Sequence, residues 1–170
     1  MSDNVDLVLR QWQSERPDLD ASPMGVVGRI QRAARLLERG LRDHFATHDL
    51  QLWEFDILAT LRRSGPPYRL TAGALVDTSM VTSGAITNRI DRLAAKGLVT
   101  REVDPDNRRS VFVTLSDQGR KLVDDIVDDH VRNERELLGA LDQNDQDRLA
   151  DLLRTLLTGL DDVPEPHSEP

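Results

Sequence analysis

Cysteine is absent from the 170 residues. Disulfides, thiolate metal sites and cysteine-based redox sensing are therefore excluded at once. Aromatic side chains make up only 4%, so a core has to be assembled from helices packed through Leu, Val, Ile and Ala. No apolar run approaches the roughly 18 residues a membrane helix needs. No charged leader precedes an apolar stretch either, so the expected location is the cytoplasm. Also missing are a Ser-His-Asp arrangement, a phosphate loop and a nucleophile motif, which speaks against an enzyme. The length suits one domain with a real core.

What is present is charge, at 31% of residues and a net −8. Overall acidity argues against nucleic acid, but its distribution reverses that. Ser79 to Lys121 carries eight Lys/Arg against five Asp/Glu, whereas Leu122 to Pro170 carries four Arg against fourteen acids. An acidic body with one basic face suits DNA binding through a patch, because phosphates feel the local field within about 10 Å at ordinary salt.

Val5, Val8, Leu9 and Trp12 fall at helical spacing, predicting a short amphipathic helix over residues 3–16 that Pro17 ends. A long helix follows from Pro23 to about His48, with Val27, Ile30, Ala34, Leu37, Leu41 and Phe45 on one face. Residues 52–62 predict a third helix, stopped by Gly65-Pro66-Pro67. Thr71 caps a fourth helix of about two turns. Asp77 to Thr82 makes a tight connection, and Ser83 to Lys96 predicts the next helix, closed by Gly97. Val99–Val103 and Ser110–Leu115 alternate as two strands joined by Asp104-Pro105-Asp106-Asn107. Ser116 caps a helix to about Leu141, and Asn144 or Asp145 opens a last one to Leu160 whose leucines form a wide apolar stripe.

The fold class is therefore mainly α with a small β wing, a winged helix-turn-helix flanked by terminal helices. The expected organisation is an extra N-terminal helix and linker (1–22), scaffold and dimerisation helices (23–62), the DNA-binding region (63–116), C-terminal dimerisation helices (117–162) and a disordered tail (163–170). Apolar stripes on both terminal segments point to a homodimer. A dimer matches a pseudo-palindromic operator in double-stranded DNA.

On the 83–96 helix the outward set is Ser83, Thr87, Asn88 and Arg92, with Thr82 at its mouth. Short hydroxyls and amides let such a helix sit deep in the major groove, where Asn pairs with adenine and Arg with guanine or phosphate. Arg108-Arg109 at the hairpin tip have the reach and charge for the minor groove. Lys96 is a further phosphate-contact candidate.

The order of elements, the wing DPDNRRSVFVTLS and the following Gln118-Gly119 resemble the MarR family of bacterial transcription regulators over nearly the whole chain. The resemblance implies a homodimer with interlocked terminal helices, and repression lifted by a small molecule. It also implies an Asp two residues before the wing Arg. Here that Arg is Arg109 and the Asp position holds Asn107, so either Asp106 substitutes or the wing is looser.

The likeness runs to the urate-responsive branch, the HucR and PecS type with an added N-terminal helix. Matched residue by residue, that branch's urate site falls on Trp12, Asp56, Arg89 and Arg101, all present. The chemistry fits: a flat purine anion wants an aromatic plane and guanidinium groups that pair its oxygens. Asp56 is expected to balance the arginines in the free protein, with an anion competing for Arg89 and Arg101. The implied effector is urate or a related purine, with no resident cofactor or metal. Three alternatives stay open: another planar or carboxylate anion, a dimer without a ligand, or zinc at His44 and His48 with Asp49 beside them.

Overall fold

The computed structural model describes residues 2–78, 86–105, 107 and 110–163. Seven helices and three strands are described, in the order α1 (Asn4–Glu15), α2 (Ser22–Ala46), α3 (Leu52–Arg63), β1 (Arg69–Thr71), α4 (Ala72–Thr78), α5 (Ile86–Ala95), β2 (Val99–Val103), β3 (Val111–Leu115), α6 (Asp117–Leu137) and α7 (Gln143–Gly159). They divide into two compact units, Met1–Val131 and Arg132–Pro170.

Local chemistry accounts for the boundaries. Asp3 caps α1 by accepting from the Val5 and Asp6 amides, and Asp6 returns the bond to the Asp3 amide. At α3 the Glu54 carboxylate accepts from the Gln51 amide at 2.8 Å, and the Glu54 amide donates to the Gln51 carbonyl at 2.9 Å. The Thr71 hydroxyl accepts from the Ala74 amide at 3.1 Å, and the Ser116 hydroxyl accepts from Gly119 at 3.0 Å. The last helix starts earlier than expected, because Asp142 caps it by accepting from the Asp145 amide at 2.9 Å.

The core of the first unit centres on α3. Phe55, Ile57, Leu58 and Leu61 pack with Phe45, Leu75, Ile90, Leu93, Val113, Val123 and Ile126. One element was not expected: β1 pairs antiparallel with β3, opposite Leu70 to Val113, and β3 pairs in turn with β2. The resulting order, β1-β3-β2, anchors the wing to the body at the entrance of α4. Gly119 lets α6 approach this sheet. A Cβ there would lie 2.2 Å from the Leu98 carbonyl oxygen, so only glycine fits.

The terminal helices behave differently. Within one chain α2 buries only Gly25 and Phe45 along its 25 residues, and Val26, Val27 and Leu36 are more than half exposed. In the second unit, none of the described residues of α7 is buried; Leu152 is the most open of its leucines, and Leu160 just past its end is more open still.

Candidate DNA-reading face and ligand cleft

α5 presents three kinds of surface. Ile86, Ile90 and Leu93 are buried against the core. Thr87, Asn88 and Arg92 are exposed, as a groove-reading face requires. Arg89 lies between the two, half-buried. Thr82 and Ser83, and the wing arginines Arg108 and Arg109 with Asp106, lie outside the described residues. At the wing base, Ser110 donates to the Asn107 carbonyl at 2.7 Å and Asp104 donates to the Ser110 carbonyl at 3.0 Å.

Lys96 has another partner than phosphate. Its ammonium sits 2.9 Å from the carboxylate of Glu54, which is fully buried. This ties the end of α5 to the start of α3 and fixes the helix against the core.

Beside α5 runs a cleft of about 460 Å³ walled by α2, α3 and α5. Leu37, Leu41 and Leu52 supply apolar wall, and Glu38, Arg42, Asp56 and Arg89 supply charge, with Arg42 paired to Glu38 at 3.1 Å. The indole of Trp53 lines the cleft too. The Arg89 guanidinium lies 5.4 Å from its ring centroid and the Arg92 guanidinium 5.1 Å. Two cations thus rest on one electron-rich face. The Nη1 of Arg89 is buried without a hydrogen-bond partner among the described residues. A buried donor left unmade costs about 1–3 kcal/mol, and an acceptor entering the cleft would recover that.

The four residues matched to a urate site do not converge in this chain. Asp56 and Arg89 share the cleft. Arg101 does not: it lines a separate cavity of about 320 Å³ with Thr71, Thr87 and Asn107. Its guanidinium is ion-paired to Asp91, on the same helix as Arg89, so Asp91 takes the balancing role expected of Asp56 there. Trp12 sits on α1, 38% exposed, and is not among the residues that line the cleft. The aromatic plane of the cleft is Trp53. It stands three residues before Asp56 on one helix, a spacing that puts both on one face and was readable from the sequence.

The zinc alternative is also rearranged. The donor atoms of His44 and His48 lie within 4.8 Å of an Asp129 carboxylate oxygen on α6. Asp49, the neighbour in sequence, is absent from that group and has a left-handed backbone conformation (φ 55°).

Comparison with known proteins places this geometry. A model of the MarR family matches residues 48–110. The regulator PecS of Dickeya dadantii is 40% identical over 146 residues, covering 86% of this chain and 88% of that protein. The chain belongs to the MarR family. It is a DNA-binding transcription regulator of the winged helix-turn-helix type and not an enzyme. Among solved MarR-type structures, Sco3205 of Streptomyces coelicolor in complex with DNA superposes with a TM-score of 0.75 at 25% identity, over 88% of this chain and 91% of that one. BpsR of Bordetella bronchiseptica, whose DNA binding is regulated by 6-hydroxynicotinic acid, superposes with a TM-score of 0.69 at 25% identity, over 77% and 91%. No described helix is long and apolar enough to cross a membrane.

Proposed function

We propose that this regulator is a homodimeric repressor released from a pseudo-palindromic operator by a small planar anion, urate or a related purine. The observation that carries the reading is the Nη1 of Arg89, buried and without a partner among the described residues, on a cleft that Trp53 and Asp56 also line. A flat oxyanion meets there an aromatic face, a guanidinium and a carboxylate able to accept an N–H. The cleft volume is within the range that takes small ligands. The heteroaromatic acid that regulates DNA binding by BpsR supports a planar anion as the ligand.

The switch follows from α5 having both jobs. Arg89 and Arg92 rest on one indole, and Arg92 also belongs to the exposed reading face with Thr87 and Asn88. An anion that draws Arg89 deeper into the cleft reseats α5 and with it the reading face. Two half-sites about 34–36 Å apart tolerate little such movement. The ligand acts only through its unequal affinity for the two seatings. Dimerisation uses the exposed stripes of the terminal helices, which bury little within one chain.

Fluorescence anisotropy with the DNA upstream of the regulator's own gene tests this. Urate should weaken binding by the wild-type protein, and Arg89→Ala should abolish the response. A urate-sensitive Arg89→Ala protein, or a wild-type protein indifferent to urate, xanthine and aromatic acids alike, overturns it.

A further inference from the structure

We propose that His44, His48 and Asp129 form a binding site for one divalent transition-metal ion of the zinc type, separate from the anion cleft. The sequence keeps these groups far apart, with Asp129 lying 81 positions beyond His48, and the fold brings them together. His48 Nε2 is 3.2 Å from the Asp129 carboxylate and His44 Nε2 is 4.0 Å from the same oxygen. All three donor atoms fall within 4.8 Å of one another. A tetrahedral ion with ligands at about 2.0–2.1 Å holds its donors roughly 3.3 Å apart. One pair already has that spacing, and the third donor needs only a small side-chain adjustment.

The unused donor is the stronger sign. His44 Nε2 is buried and makes no hydrogen bond among the described residues, although its side chain is only 10% exposed. An ordinary His48–Asp129 hydrogen bond explains two members of the cluster and leaves this one unexplained. An ion satisfies all three. The back wall is aromatic: the His44 ring meets Phe45 edge-on at 5.2 Å, and His130 packs on Phe45 and Phe55 at 5.0 and 4.9 Å. The front is open, with His48 and Asp129 partly exposed, leaving room for water as a fourth ligand. Two imidazoles and one carboxylate suit zinc, cobalt or nickel rather than calcium or magnesium, which require more oxygens. Bound there, the ion clamps the end of α2 to α6, the helix that leaves the wing.

The test uses the full chain, stripped of metal and free of DNA and urate, so its outcome is independent of the anion reading. Zinc is titrated against a fluorescent chelator, and cobalt is followed by its visible absorption. The expected result is one ion per chain and a rise in melting temperature. His48→Ala and Asp129→Asn should each weaken binding by about tenfold or more, whereas Asp49→Asn, outside the cluster, should not. Both substituted positions lie at the rim, and their metal-free melting curves verify folding. Wild-type protein that binds no ion, or variants that bind as tightly as wild type, overturns the proposal.

Discussion

The central helices and the terminal helices of this regulator use similar residues for opposite ends. α3 buries six of its 12 residues, including the charged Glu54, while the 17-residue α7 buries none of those described. The two tryptophans repeat the contrast: Trp53 lies beneath two guanidiniums beside the cleft, and Trp12 stands half-open on α1. The centre is a finished apolar core, in which the buried Nη1 of Arg89 stays without a partner among the described residues. The termini carry apolar surface that a single chain does not cover. A stripe of leucines therefore says which face is sticky, and only three-dimensional packing says whether the same chain satisfies it.

The contrast can be broken most strongly at the centre. Gly119→Ala pushes a methyl group into the Leu98 carbonyl and should cost about 3 kcal/mol or more in urea unfolding. A loss below about 1 kcal/mol would mean that α6 and the sheet have slack. At the termini, Leu152→Asp with Leu156→Asp should leave the fold intact and convert the dimer to monomer in sedimentation equilibrium. An unchanged dimer would place the interface elsewhere.

A milder effect belongs to Lys96→Met. It leaves the Glu54 carboxylate buried with its α3 cap but without its cation, a loss of about 1–2 kcal/mol given the partial exposure of Lys96. Unchanged stability would reduce that pair to an incidental contact.

The smallest effect sits on α1. Asp3 is held below its ordinary pKa of 3.8 by the backbone amide of Asp6, and Asp6 by the backbone amide of Asp3, with Arg29 adding to both. A depressed carboxylate stabilises the fold fully above its unfolded value. That contribution is lost as pH falls through the lower folded value. Acid should loosen α1 only below pH 3.8. Amide shifts of Val5 and Asp6 followed by NMR should titrate with midpoints below that value, and midpoints at or above it would contradict the capping account.

Much of the fold was legible because its signals are local. Thr71 and Ser116 cap where capping chemistry puts them, and Gly97 takes the left-handed conformation (φ 72°) that ends a helix. β1 escaped because three residues carry no alternation, and its partner β3 lies some forty positions away. The exposed face of α5 was legible at Thr87, Asn88 and Arg92, since helical period alone separates them from the buried Ile86, Ile90 and Leu93. The cleft was only half legible. Asp56 and Arg89 line one cleft, but an arginine's partner depends on tertiary geometry, and Arg101 found Asp91. Trp53 was passed over for Trp12, although its spacing to Asp56 marked it. Asp129 had no local signal at all, because only the packing of α6 brings it to the histidines.

The central claim is that the helix reading DNA is also the helix sensing the anion, through Arg89 on Trp53. The most direct measurement is the ratio of DNA affinities with and without urate, taken within each protein so that any change in basal binding cancels. Wild type and Trp12→Ala should show a ratio of about tenfold or more, and Arg89→Ala and Trp53→Ala a ratio near one. Loss of the response in Trp12→Ala with its retention in Trp53→Ala would contradict the account.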